Sequence, residues 1–269
     1  MHIKSIAIGL AAVIMLCACL GLFFLWGTSR GDNRIQQAEA AYQKGTAATT
    51  IHERQEAFNE ALDLFLQLEA DYRPHFGTGR LYYNIGNTYF QLGEYPRAIL
   101  YYMRAQQLMP SDDSVKSHLS LTRKKLDLPA NLNASVWDLL LFQPFISLPL
   151  RLQLFFCAGC LTVLLFSVWI WTHARWSLYL SVIALSIFTF LLISLIILRY
   201  FAPVQAVLVH AVELRRDAGA QFAKISPQPV PAGTVIEVLD ISNNGQWYKI
   251  AVPGADFGYA PQESVRLVR

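Results

Sequence analysis

Two cysteines three residues apart, in Cys157-Ala-Gly-Cys160, have the spacing of a dithiol redox pair. That chemistry needs an accessible, activated thiolate. Both thiols lie inside an apolar stretch without Asp, Glu, Lys or Arg, so the motif reads as small residues that let two helices approach in lipid, with a redox pair as the alternative. Cys17 and Cys19 lie in a second apolar stretch, where LCAC has the form of a lipoprotein signal site with Cys19 as the modified residue. The six histidines, at positions 2, 52, 75, 118, 173 and 210, form no metal-ligand spacing, and no Gly-rich phosphate loop, Gly-x-Ser-x-Gly or metalloprotease His pair is present. The expectation is therefore a protein without catalytic residues, metal or cofactor, one that works by binding.

The elements that must position a binding surface are mixed in kind. The 269 residues are 54% hydrophobic and only 15% charged, too apolar for an ordinary soluble chain, and the excess falls in blocks. A net charge of +3 without a long Lys/Arg cluster gives no electrostatic footprint for nucleic acid. Residues 6–26 form the first apolar block, long enough to span a membrane and without a clean Ala-x-Ala site; it is expected to be an uncleaved anchor, with a cleaved signal or lipidation at Cys19 as alternatives. Residues 152–172 and 177–198 form the other two. Only His173-Ala-Arg-Trp176 separates them, too short for anything but an antiparallel hairpin, so both ends of the hairpin leave on the same side. With Lys4 inside, residues 30–151 and everything after Arg199 are expected outside. Between the polar segment and the hairpin, ASVWDLLLFQPFISLPL carries Trp137, Phe142 and Phe145, expected as an interfacial collar over residues 129–151.

Counted from Gly79 as position 1, small and large residues recur at fixed places: Tyr82, Ile85, Gly86, Tyr89, Gly93, Tyr95, Ala98, Tyr102, Ala105 and Pro110. Gly86 and Ala98 are small where two helices must touch, Gly93 ends the first helix, and Pro96 suits the first turn of the second. This spacing resembles the tetratricopeptide (TPR) repeat. A degenerate copy precedes it, with Ala38, Ala41 and Tyr42 in one helix and Phe58, Ala61, Leu62, Phe65 and Leu68 in the next. A closing helix capped by Ser111 or Asp112 follows. Two helices before the repeat and one after lie near the minimum for a stack, so a partner or the membrane surface is expected to complete it. The resemblance implies a concave side lined by the first helix of each repeat, and mapping by position gives Arg80, Tyr83, Asn84, Asn87, Phe90 and Gln91 as protein-binding candidates. Arg and Asn suit a peptide backbone or a carboxylate. The alternative for Tyr83 and Phe90 is packing between repeats, and for Arg80 simple solvation.

After Val204 the apolar pattern alternates and is cut by turns, as in a small antiparallel barrel. Val212-Glu-Leu-Arg215, Gly233-Thr-Val-Ile, Gln246-Trp-Tyr-Lys-Ile250 and Phe257-Gly-Tyr-Ala260 resemble the strands of a bacterial SH3-like domain over residues 204–269. Trp247 is expected in its core, with Tyr248 and Tyr259 as the exposed aromatics of a ligand face.

The expected fold class is thus a multi-domain membrane protein: an N-terminal anchor at 1–29, an α-helical TPR domain at 30–128 with its best repeat at 79–112, the collar at 129–151, a transmembrane hairpin at 152–198 and a small all-β SH3-like barrel at 204–269. That order of parts, with LYYNIGNTYFQLGEYPRAILYYMRAQQLMP as its sharpest portion, resembles BatE-type proteins of the bacterial aerotolerance (Bat) operon. The resemblance implies a non-enzymatic scaffold in a stress-tolerance complex at the bacterial inner membrane. Its TPR and SH3-like domains would lie on the periplasmic side, and its partners would be Bat-type membrane proteins with von Willebrand A domains. A receptor whose SH3-like domain binds peptidoglycan is the alternative.

Overall fold

The computed structural model describes residues 33–72, 78–129, 146–200, 203–242, 245–252 and 257–268. The N-terminal apolar block with Cys19, and residues 130–145 of the aromatic collar with Trp137, Phe142 and Phe145, lie outside the described residues. Two compact units emerge, one holding the described parts of Asn33–Ser147 and Pro203–Arg269, the other those of Leu148–Ala202.

The first unit begins with five helices: α1 (Asn33–Ala47), α2 (Ile51–Tyr72), α3 (Gly79–Gln91), α4 (Tyr95–Leu108) and α5 (Asp113–Lys125). Their ends follow from side-chain chemistry. Thr78 caps α3 by accepting a hydrogen bond from the Leu81 amide at 3.2 Å, and Asp112 caps α5 by accepting from the amides of Ser114 and Val115. Gly93, at φ +82°, turns the chain out of α3 in the left-handed region, and the Glu94 amide donates back to the Tyr89 carbonyl at 2.9 Å. Leu81, Ile85 and Tyr89 recur every four residues and bury one face of α3. Helices pair as α1 with α2 and α3 with α4, while α5 closes against α4. The pairs share a device. A Cβ on Gly86 would lie 2.8 Å from the Tyr102 ring, and one on Gly45 would lie 2.8 Å from the Phe58 ring, so in each pair an aromatic from the second helix fills the gap a glycine leaves on the first.

The same unit carries an antiparallel sheet of β1 (Val204–Leu208), β2 (Val235–Ser242), β3 (Trp247–Ala251), β4 (Phe257–Pro261) and β5 (Val265–Leu267), in the order β4-β3-β2-β1-β5, with a 3-10 turn at Gln262–Ser264 before β5. The sheet does not close as the expected barrel: among the described residues β4 and β5 are its edges. The physical reason lies in the long connection between β1 and β2. It folds back over one face and bridges Arg215 to Tyr259, so the outer side of β4 is met by this loop. The opening strand also falls earlier than Val212. Val212 and Arg215 make only isolated bridges, and Val204–Leu208 does the pairing, with Val207 opposite Val235 and Leu208 opposite Val265.

Strand alternation buries both faces of the sheet at β1 and the start of β2. Ala206 and Leu208 enter a cluster with Val212, Leu214, Ile236, Tyr248, Ile250 and Ala260. Val207, Val235 and Val268 point the other way and join the core of the helices, beside Ile85, Ile99 and Tyr102. The helical segment and the sheet, which read in sequence as separate modules, thus share one core. What completes the short helical stack is the chain's own C-terminal sheet, in place of the expected partner or membrane surface.

The second unit is the helical hairpin α6 (Leu148–Thr172) and α7 (Arg175–Tyr200). Both helices are long and apolar enough to cross a membrane: 25 and 26 residues reach roughly 38 Å at about 1.5 Å per residue. Helix α6 starts four residues before the expected 152, with Pro149 at its second position. Arg151 and Ala158 of α6 and Ser177, Ser181, Ala184, Leu191 and Ser194 of α7 are buried, Phe155 stacks on Phe188 at 4.5 Å, and Arg151 donates to Ser194 Oγ at 3.0 Å. The outer surface is covered by exposed apolar side chains such as Phe156, Leu161, Ile183 and Ile193.

Candidate protein-binding groove

The polar stripe of α3 sits where helical periodicity puts it, but its members divide into two groups. Asn84 and Asn87 line a cleft of about 210 Å³ together with Glu39, Tyr42 and Gln43 of α1 and Phe65 of α2. Asn87 is held in place by Tyr102, whose hydroxyl donates to its Oδ1 at 2.7 Å, and this orients the amide N–H pair away from that bond. The Asn84 side-chain amide has no hydrogen-bond partner among the described residues. At the end of the stripe, Gln91 is exposed near the hydroxyl of Tyr42. Burial raises the pKa of that tyrosine, and the Gln91 side chain opposes the rise.

Tyr83 and Phe90 do different work. The Tyr83 hydroxyl meets His118 Nδ1 at 3.2 Å and the two rings sit edge to face at 5.4 Å, while the same nitrogen lies 2.9 Å from the Ser114 carbonyl. Tyr83 therefore ties α3 to the closing helix. Phe90 packs edge-on against Tyr95 of the same repeat and leans on the core. Arg80 is exposed and has no carboxylate partner among the described residues.

Glu39 and Gln43 complete the cleft and were not named from the sequence. The signal existed. Counting 41 residues back from Arg80, Tyr83 and Asn84 lands on Glu39, Tyr42 and Gln43, the same positions in the degenerate copy. The cleft thus combines amide donors and acceptors with an apolar floor of Phe65 and Tyr42. Glu39 makes it a poor seat for a bare carboxylate and a better one for the alternating N–H and C=O groups of an extended backbone.

The sheet's expected ligand face needs correction. Tyr248 is buried, only 7% exposed, and packs in the sheet's own core with Ile250. The alternation of β3 requires this: Tyr248 and Ile250 point in, so Trp247 and Lys249 point out, and Trp247, expected in the core, is half-buried on the opposite face. Tyr259 is half-buried, paired across the ladder with Lys249, whose Nζ sits 4.3 Å from the centre of the neighbouring Phe257 ring. In the hairpin, Cys157 and Cys160 lie in the middle of a continuous helix, away from any helix N-terminus that could stabilise a thiolate.

Residues 79–112 match the tetratricopeptide repeat family. The match covers α3, α4 and the cap of α5, and the repeat is a non-catalytic protein-interaction fold. No curated protein matches the chain. The groove between the first helices of the two helical pairs is therefore the surface on which a protein-interaction role can be built.

Proposed function

We propose that the chain is a non-enzymatic, membrane-anchored scaffold whose tetratricopeptide groove binds an extended segment of a partner protein. The observation that carries this is the cleft in which the Asn84 amide, with no partner of its own, and the Tyr102-anchored Asn87 face Glu39, Tyr42 and Gln43 over an apolar floor. Donors and acceptors already held in place spare a peptide part of the ordering cost of binding. The hairpin supports an anchoring role. Its two ends lead into segments that build one compact unit, so the reading puts both on a single membrane face, the periplasmic one in a bacterial inner membrane. The Bat-type assignment rests on the order of parts, and its partners would be membrane proteins with von Willebrand A domains. The opening strand, long loop, antiparallel meander and short closing strand after a 3-10 turn support an SH3-like reading of the sheet. A peptidoglycan receptor is the weaker reading, because burial removes Tyr248 from any ligand face.

A photo-crosslinking residue at position 84, read in intact cells, tests the groove, with position 116 on α5 as an exposed control. The expected result is one defined partner captured at 84 and not at 116, and lost on Asn87→Ala. Equal capture at both positions, or none at 84, refutes the groove. Reporter fusions after residue 129 and after residue 268 test the topology; a cytoplasmic signal from either sinks the single-face arrangement.

A further inference from the structure

A second cleft, of about 400 Å³, opens on the seam between α4 and the sheet, and its chemistry differs from that of the groove. Arg97, Arg104 and Arg266 line it with Tyr89 and Tyr101, and Glu69 is its one carboxylate. That carboxylate is already occupied. Arg104 Nη1 donates to Glu69 Oε1 at 3.0 Å, and the Tyr101 hydroxyl donates to Oε2 at 2.7 Å. Arg104 is itself buried, with Nη2 on the Leu267 carbonyl at 3.0 Å and its Nε without a hydrogen-bond partner. Arg97 and Arg266 are exposed and neither has a carboxylate partner among the described residues. Arg266 spends Nη1 on the carbonyls of Gln262, Glu263 and Val265, which leaves its other guanidinium hydrogens free for a ligand. Arg97 lies 5.8 Å from the centre of the Tyr89 ring. Two uncompensated guanidinium groups thus flank a cleft whose remaining walls, Leu100 and Val209 with the tyrosine rings, are apolar.

We propose that this seam cleft binds an acidic peptide segment of a partner protein, a carboxylate seating between Arg97 and Arg266 while an apolar neighbour in the peptide covers Leu100 and Val209. Guanidinium groups favour oxyanions through paired, charge-assisted hydrogen bonds. The apolar walls select among oxyanions: a free phosphate needs donors on all sides, whereas a carboxylate on an apolar-flanked chain uses both kinds of wall. The inference takes its class of partner from the scaffold reading but occupies a different surface, made jointly by α4 and β5.

The test titrates the full chain in detergent micelles with a blocked pentapeptide alternating leucine and glutamate, with the glutamine version of that peptide, and with inorganic phosphate. Binding of the glutamate peptide is expected to fall about tenfold or more on R97Q and on R266Q, the scale of one lost charge-assisted hydrogen bond, and to be unchanged on Lys116→Gln, an exposed position on α5. The glutamine peptide is expected to bind at least about tenfold more weakly than the glutamate one. Arg97 holds no backbone carbonyl among the described residues, so R97Q tests binding without disturbing the seam. Equal affinity for the two peptides, indifference to both arginine substitutions, or binding of phosphate alone overturns the proposal. Loss of the position-84 crosslink with the glutamate peptide still bound defeats the groove reading alone, and the reverse pattern defeats this one alone.

Discussion

Arg104 is the side chain by which the helical repeat and the sheet hold each other, and its removal gives a measurable test of that dependence. Its two terminal nitrogens bond Glu69 on α2 and the Leu267 carbonyl on β5, and the side chains of Arg104 and Glu69 are only 8% and 9% exposed. The rings of Tyr101 and Tyr82 flank the guanidinium at 5.0 and 5.9 Å. Arg104→Ala takes the Arg104 guanidinium away from the buried Glu69 carboxylate and from the Leu267 carbonyl. Breaking such a pair from one side costs about 3–5 kcal/mol. Removing the polar cluster together, as Arg104→Met with Glu69→Leu and Tyr101→Phe, is expected to recover most of this loss, because the Arg104 and Glu69 charges and the Tyr101 hydroxyl are then removed together. The assay is amide hydrogen exchange read by mass spectrometry on the full chain in micelles. At about 1.4 kcal/mol per power of ten, protection of the slowest amides in Tyr95–Leu108 and Val204–Leu208 should drop by roughly two to three and a half powers of ten in the single variant, and by similar factors in both segments. A loss confined to α4 with β1 unchanged would mean that sheet and helices open independently. A loss of less than about one power of ten in both would show that the buried pair contributes little.

Two further outcomes follow from the packing. Gly86→Ala should destabilise the repeat by about 1–2 kcal/mol, since the new Cβ overpacks the fully buried Tyr102 ring by more than the helix gains from alanine. In a Tyr102→Ala background the same change should become stabilising by up to about 1 kcal/mol; a chemical-denaturation cycle that shows no change of sign refutes the contact. The second concerns alkaline pH. Burial pushes the hydroxyls of Tyr101 and Tyr102 well above the ordinary tyrosine range, helped by the Glu69 charge for Tyr101 and by Tyr83 and Tyr42 for Tyr102. Both groups are neutral in folded and unfolded chains below about pH 10, so their contribution is complete there. Above that pH the unfolded chain gives up protons that the folded one keeps, and stability falls as pH rises. Absorbance titration should show these two of the twelve tyrosines ionising only as the helices unfold, and ionisation of all twelve before loss of helical signal would contradict it.

The repeat was legible because its determinants are local. Gly86, Gly93, Ala98 and Pro96 act within one pair of helices, over spacings that a 3.6-residue period fixes, and the Asn84 and Asn87 side of α3 follows from the same period. The other wall of the groove was also present in sequence, at Glu39 and Gln43, but hidden by its offset from the second copy, since α2 runs 22 residues against 14 for α4. The orientation of β3 could have been read too: Lys249 is poorly suited to a core, Trp247 shares its parity, and Tyr248 must then face inward with Ile250. The hairpin followed from length and composition alone, because a two-residue link, His173-Ala174, leaves the chain no other way back.

The docking of the sheet on the helices could not be read in this way. The Arg104–Leu267 bond joins residues 163 apart, with the hairpin between them, and no periodic pattern carries information over that distance. A strand buried on both faces, such as β1 with Val207 toward the helices and Ala206 and Leu208 toward the sheet's own core, reads in sequence only as apolar. Sequence alone thus determined the repeat, its polar stripe and the paired apolar helices, each set by short-range periodicity. The tertiary structure alone decided which surface closes the short stack, which tyrosine the sheet buries and where the uncompensated arginines meet, because each depends on contacts between distant segments that compete for the same apolar surface.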